Sequence, residues 1–306
     1  MSRQPLLDRL PAVRGKLEPQ APLAPWVWFR VGGPAEVLFK PADIDDLADF
    51  LRALPLDVPV LPVGVASNLL IRDGGVAGVV VRLGGVLNAI RTEDGTTVTA
   101  EAGALDRSVA VAAAKAGIAG LEFYVGIPGT IGGAVRMNAG AFGGETKDRL
   151  VSIRALDRAG RLHEARACEL GLAYRRSAVP DDWIVVEATF RGEPGDPVAI
   201  KARMDAIKAE RAAAQPLHVA TGGSTFKNPE GRRAWQLIDE AGCRGLRRGG
   251  ARVDTKHCNF LVNEGTATAA DLESLGETVR ERVRALSGIE LDWEIKRVGH
   301  APEVRP

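Results

Sequence analysis

Cysteine is scarce: Cys168, Cys243 and Cys258 are the three in 306 residues. The number is odd and no pair has the Cys-x-x-Cys spacing, which argues against a disulfide framework and a structural zinc site. His163, His218, His257 and His300 are scattered and no His-Glu-x-x-His occurs, so no metal is expected. An excess of either charge is also missing. Lys+Arg 40 against Asp+Glu 39 leaves +1, which offers no electrostatic basis for holding nucleic acid or an anionic membrane. No apolar run reaches the ~18 residues that span a bilayer. The N-terminal stretch, with Pro5, Asp8, Arg9, Pro11 and Arg14, lacks the apolar core of a signal peptide. A reduced, cytoplasmic, soluble protein is expected, with neither nucleic acid nor membrane as partner.

Two nucleotide fingerprints are absent as well. No Gly-x-Gly-x-x-Gly follows a strand, and no Gly-x-x-x-x-Gly-Lys-Ser/Thr occurs, so neither a Rossmann site nor a P-loop is present. The length suits about two domains. Glycine is abundant, 35 of 306 against an average share of about 7%.

Local patterns organise the chain. The first ~25 residues are Pro-rich and read as an extended arm. Asp43 caps a helix with Ile44, Leu47, Leu51 and Leu54 on one face, flanked by strands at 36–40, 58–63 and 76–83. A weaker strand at 96–101 precedes a helix over 109–116 that Gly117 ends, and strands follow at 151–156 and 184–190. Asp196-Pro197 opens a helix with Ile200, Met204 and Ile207 on one stripe, and the texture changes near residue 210. Beyond it come a helix at 234–241 and a strand at 259–262. Thr268 with Asp271 opens a helix striped by Leu272, Leu275, Val279, Val283 and Leu286 and ended by Gly288. Ile289, Leu291, Trp293 and Ile295 alternate as a last strand.

Three loops stand out. Gly64-Val65-Ala66-Ser67-Asn68 lies between apolar strands and could turn backbone N–H groups toward phosphate oxygens. Gly126–Gly144 holds seven glycines, which let backbone approach a flat ligand or a pyrophosphate. Gly222-Gly223-Ser224-Thr225-Phe226-Lys227-Asn228-Pro229 sets a hydroxyl between permissive backbone. Each alone also reads as a structural turn. Ser224 could be a nucleophile or a proton donor, and no histidine close in sequence decides between them.

In this order the loops resemble the UDP-N-acetylenolpyruvoylglucosamine reductase family, flavoenzymes of peptidoglycan precursor synthesis. The matching pieces are Arg30–Ala35, Ser67–Leu70, Gly126–Gly133, Met137–Glu145, Tyr174-Arg175-x-Ser177, Gly223–Pro229, Gly249–Ala251, His257-x-Asn259-Phe260 and Glu294. They run from about residue 26 to 299. The chain departs in having Val65 and Ala66 where more glycine is usual, and β-branched Val65 is not expected at positive φ. Trp26-Val27-Trp28 replaces small polar residues. Only 24 residues separate Phe190 from Gln215, so the chain looks like the shorter subgroup without a tyrosine-bearing insertion.

The resemblance implies an α+β fold: a two-subdomain FAD-binding region of the vanillyl-alcohol-oxidase type and a separate C-terminal α+β substrate domain. The implied boundaries are 1–83 with 295–306, 84–209 and 210–294. It implies non-covalent FAD held by Gly64, Ser67, Asn68, Gly126, Thr130, Gly132, Gly133, Asn138, Gly140 and Ala141. NADPH is the implied co-substrate and a UDP-sugar the substrate, contacted by Lys227, Asn228, His257 and Arg211; a monomer is expected. Arg175, Ser224 and Glu294 carry over as catalytic. Hydride passes from NADPH to FAD and then to C3 of the enolpyruvyl ether. Arg175 and Glu294 attend the charge that develops at C2 and the carboxylate, and Ser224 protonates C2. An FAD oxidase of small alcohols or sugars and a non-catalytic nucleotide-sugar binding protein that retains the fold are the alternatives.

Overall fold

The structure, a computed structural model, describes residues 5–302. The chain forms two compact units. The first comprises the residues up to Pro19, Val37–Val65 and Gly78–Arg211; the second comprises Gln20–Glu36, Ala66–Ala77 and the chain from Ala212 on.

The first unit is built on two sheets. One has the order Lys16–Pro22, Pro34–Lys40, Val76–Arg82, Val60–Val63, and its last pair is parallel. The other is antiparallel, in the order Leu162–Arg166, Leu150–Leu156, Ile184–Arg191, Thr97–Glu101, Ile90–Glu93. Four helices accompany them: α1 (Ile44–Ala53), α2 (Asp106–Lys115), α3 (Ile131–Met137) and α4 (Pro197–Ala214). The Asp43 carboxylate accepts the Asp46 N–H at 2.8 Å and so starts α1, which buries Leu47, Phe50 and Leu51. Phe50 packs on Phe39 with ring centroids 4.3 Å apart. Asp196 accepts the N–H groups of Val198 and Ala199 at the start of α4, whose buried stripe is Ile200, Met204 and Ile207.

The Pro-rich arm is only partly irregular. Leu6–Arg9 is a 3-10 turn with Leu6 buried, and Lys16–Pro22 is an edge strand, where proline is tolerated. The buried Asp46 carboxylate pins the arm by accepting the Arg14 and Gly15 N–H groups at 2.7 and 2.9 Å. The helix expected from 109 begins earlier, at Asp106.

The second unit has its own core, running from Phe29, Val31 and Leu70 to Leu291 and Ile295. It holds α5 (Ala234–Glu240) and α6 (Ala269–Ser287) and a sheet in the order Arg247–Arg248, Ala251–Val253, Leu261–Asn263. Thr268 and Asp271 form the reciprocal cap of α6, and Gly288 ends it at φ 73. Leu272, Leu275, Val279 and Val283 are buried, whereas Leu286 is 62% exposed, because the last turn carries it past the core.

Two expected strands are displaced. The alternating run 289–295 is not a ladder: Arg280 Nε donates to the Leu291 carbonyl at 2.8 Å, and only Trp293 bridges to Phe226. The regular strand is Lys296–Val298, parallel to Leu69–Ile71. Likewise 259–262 becomes Leu261–Asn263, since Phe260 N–H closes a turn on the His257 carbonyl.

Cys243 and Cys258 are buried, and burial pushes the Cys258 thiol up to about 11; Cys168 is exposed. Leu275→Ala should lower the unfolding free energy by about 2–5 kcal/mol in a urea titration, and Leu286→Ala by no more than about 0.5. Equal losses would show that α6 is packed on another face.

Candidate active site

The glycine-rich run of the first unit owes most of its glycines to the protein itself. A side chain at Gly64 would strike Thr130, and one at Gly126 would strike Phe142. An added Cβ would lie 2.6 Å from Asp106 Oδ2 at Gly129, 3.0 Å from Ala102 Cβ at Gly132, 2.6 Å from Glu145 Cγ at Gly140 and 2.7 Å from the Phe123 ring at Gly144. Gly133 differs. It is exposed on the first turn of α3, and an added Cβ would find only Thr130 Oγ1, at 4.0 Å. Gly143 is open too, at φ 87. The backbone leading into α3 is laced to the entry of α2: Ile131 N donates to Ala104 O at 3.0 Å and Gly132 N to Ala102 O at 2.9 Å.

Asn138 ends α3 in the left-handed region, φ 40, and is fully buried. Its amide donates to Glu145 Oε2 at 3.0 Å and to the Ala173 carbonyl at 3.1 Å, and its oxygen accepts the Lys147 N–H at 2.8 Å. Its side chain therefore ties Gly140-Ala141 and their flanks to the segment 173–177. There Ala173 and Arg176 exchange two backbone hydrogen bonds of 2.9 and 3.0 Å, which makes Tyr174-Arg175 the centre of a tight turn. Arg175 occupies the third turn position at φ 53, where glycine or asparagine is normally required. Its guanidinium donates to the Gly140 carbonyl at 3.0 Å and lies 4.9 Å from the centre of the Tyr174 ring. Ser177 Oγ anchors the turn on the Arg136 carbonyl at 3.0 Å.

In the second unit the Ser224 loop is gripped from both sides. On one side Thr225 N donates to Asn259 O at 2.7 Å, and the Asn259 amide clamps Phe226, donating to its carbonyl at 2.8 Å and accepting its N–H at 3.0 Å. On the other, Glu294 N donates to Thr225 O and Lys227 N to Asp292 O, both at 2.8 Å. Asn68 joins the group, donating to the Glu294 carbonyl at 3.2 Å and accepting the Lys296 N–H at 3.0 Å. Ser67-Asn68, Ser224 and Glu294 are thus neighbours. Thr225 is buried and its hydroxyl accepts the Leu261 N–H at 3.3 Å, whereas Ser224 is half-buried. Gly223 supplies φ 80 just before it, and Gly222 has no room for a side chain against Phe29. Val65 is not among the residues with positive φ, but its neighbour Ala66 is, at φ 50.

The expected substrate contacts are distributed. Lys227 and Asn228 follow the Ser224 loop, and Asn228 Oδ1 accepts the first N–H of α5 at 3.0 Å. His257 packs edge-on against Phe260 at 4.7 Å; burial holds its pKa below the usual histidine value, and its buried Nδ1 has no hydrogen-bond partner among the described residues. Arg211 lies in the last turn of α4, in the first unit, and burial lowers its pKa. Sequence reasoning missed the positioning residues Thr225, Asn259 and Asn138's inward role, since a buried amide leaves no periodic signal.

Comparison with known proteins decides the family. Residues 35–166 match the FAD binding domain family, and residues 215–298 match the C-terminal domain of UDP-N-acetylenolpyruvoylglucosamine reductase. The UDP-N-acetylenolpyruvoylglucosamine reductase of Parvibaculum lavamentivorans is 60% identical over 96% of this chain and 94% of its own. The chain belongs to the UDP-N-acetylenolpyruvoylglucosamine reductase family. The enzyme of that name from Paramagnetospirillum magneticum is 61% identical over 95% of both chains. The crystal structure of the reductase from Thermus caldophilus superposes with a TM-score of 0.81 at 33% identity, covering 94% of this chain and 99% of that one.

The reductase fold carries FAD as its cofactor. The residues present fit that group at Gly133, where the first turn of α3 is open to a ligand and a side chain would fill the space. Among the described residues no group of histidine, cysteine and acidic side chains is arranged to hold a metal. Neither cysteine nor histidine stands in these loops, so acid denaturation should release all the flavin to the supernatant. Gly133→Val should fold normally and purify with little flavin, read from its absorbance. Gly132→Val is a poorer probe, because its side chain meets Ala102 first. Full flavin occupancy in Gly133→Val would displace the FAD site from this turn.

Proposed function

We propose that this enzyme reduces the enolpyruvyl ether of UDP-N-acetylglucosamine to UDP-N-acetylmuramate with NADPH, as a cytoplasmic monomer supplying a peptidoglycan precursor. When bound, FAD would supply the hydride chemistry that links NADPH to C3 of the ether. Everything else falls to the chain's own side chains. Hydride addition at C3 leaves negative charge at C2, delocalised into the carboxylate, and that charge must be stabilised and then quenched by a proton.

Arg175 is the fixed cation for this charge. The single observation that carries the reading is its backbone: an arginine stands at a left-handed turn position that glycine would fill without strain. Such a position costs about 1–3 kcal/mol and persists where the surroundings enforce it; here Asn138 and Ser177 hold the turn in place. Ser224 is the proton donor to C2, with Thr225 and Asn259 fixing its backbone. Glu294, on the segment hydrogen-bonded to the Ser224 loop, orients the substrate carboxylate network. Lys227, Asn228 and Arg211 address the phosphates and amide. His257, neutral at pH 7 because burial lowers its pKa, suits a hydrogen bond rather than a charge pair. Gly64, Gly126, Thr130, Gly132, Gly133, Gly140 and Ala141 are the FAD contacts proposed for the first unit, with Asn138 supporting them, and Ser67 and Asn68 are those proposed for the second.

In stopped flow, Arg175→Ala should leave flavin reduction by NADPH nearly unchanged and slow reoxidation by substrate. Arg175→Gly should show the same kinetic defect with a Tm within about 4 °C of the parent, since relief of strain offsets the lost hydrogen bond. Equal slowing of both half-reactions would remove the assigned role. Ser224→Ala should still be reduced by NADPH but lose at least ~10²-fold in turnover; wild-type turnover would leave Ser224 a loop residue.

A further inference from the structure

Asp106 has no part in the reaction above, yet it is the least conventional acidic side chain in the first unit. It opens α2 and is 0% exposed. Among the described residues neither carboxyl oxygen has a hydrogen-bond partner. The Gly129 N–H faces the carboxyl without reaching hydrogen-bond geometry and only partly offsets the effect of burial. Oδ2 sits 2.6 Å from the place where a side chain of Gly129 would begin, so the carboxyl fills the volume that this glycine vacates. The backbone on either side is bonded in register. Asp106 N donates to Gly129 O at 3.1 Å, Leu105 bridges Thr130, and Ile131 N and Gly132 N donate to Ala104 O and Ala102 O. Gly129-Thr130 is thus a turn whose shape is set from beneath by one carboxyl and whose upper side leads into the open first turn of α3.

We propose that Asp106 is a positioning residue of the FAD seat, its carboxyl filling the space under Gly129 and holding the Gly129–Gly133 backbone in the form that receives the cofactor. This rests on the seat described under Proposed function. The carboxyl performs the task as a neutral acid. Burial raises its pKa well above the usual carboxylate value, and among the described residues no cation faces it. The titratable group that does is the buried Tyr124 phenol, which donates to Thr146 Oγ1 at 3.0 Å. An ionised carboxylate there would be expelled toward water, taking the turn with it.

The sign of the pH dependence follows. Folded Asp106 keeps its proton above pH ~4 while the unfolded chain releases it, so the native state loses stability as pH rises from there to the folded pKa. Asp106→Asn keeps the size and a permanent neutral charge, and removes that slope. The experiment measures FAD dissociation by fluorescence, and urea unfolding of the flavin-free protein, between pH 5 and 8. The parent, Asp106→Asn, Asp106→Ala and Gly133→Val are compared. The expected result is near-parent FAD affinity at pH 5 for Asp106→Asn and at least ~10-fold weaker binding for Asp106→Ala. The unfolding constants of parent and Asp106→Asn should diverge by up to tenfold per pH unit, the asparagine form gaining. Parent-like FAD affinity in Asp106→Ala overturns the positioning role, and a pH-independent difference between parent and Asp106→Asn overturns the neutral acid. If Asp106→Ala does not fold, loss of FAD affinity in the folded Asp106→Asn at pH 5 overturns the proposal. Full affinity in Gly133→Val would instead show that the seat is misplaced.

Discussion

The segment Ser224–Lys227 is held by backbone hydrogen bonds on both edges, and the geometry of the residues proposed as catalytic in the second unit, Ser224 and Glu294, depends on that grip. Asn259 and Leu261 secure one edge, and the segment Asp292–Glu294 secures the other. One residue carries a hydroxyl committed to the fold, Thr225, and its neighbour Ser224 carries one at the half-buried surface of the loop. The same lattice brings Glu294 and Asn68 alongside. A serine needs no activating base if its task is to give a proton to a basic carbon, and the arrangement supplies fixation rather than activation.

The first unit uses a different device. Its Tyr174-Arg175 turn is short, bonded to itself and anchored by Asn138 and Ser177, so the arginine has little freedom to turn away. For the role proposed for Arg175, rigid placement matters more than charge alone, because a cation that must reorganise during a reaction loses much of its stabilising effect. Asn138 is the economical element here. One fully buried amide ends α3 in a left-handed conformation, fixes the Gly140 strand and holds the arginine turn.

Capped helices were the most legible features of the sequence. Asp43, Asp196, Thr268 and Gly288 act where the local pattern puts them, because a cap is decided within four residues. The ordered loops likewise identify the family. The misreadings come from tertiary context that a local pattern does not carry. The alternating run 289–295 is diverted by Arg280, the strand after Asn259 is delayed by a turn, and Leu286 falls beyond the core. The glycine-rich run teaches the same lesson: most of its glycines accommodate neighbouring protein atoms, and Gly133 is the one on α3 that faces open space. No sequence pattern distinguishes these cases, since the partner of each glycine lies elsewhere in the chain.

The central claim, that Ser224 gives the proton to C2, is tested most directly by turnover in deuterium oxide with protiated NADPH in stereospecifically defined product. Hydride that passes through flavin can exchange with solvent, so the label at C2 is the informative one. The account predicts one solvent deuterium at C2 in a single configuration, and a large slowing of that transfer, without covalent attachment of substrate, in Ser224→Ala. A substrate-derived adduct on Ser224, or an unchanged rate and configuration at C2 without its hydroxyl, would contradict it.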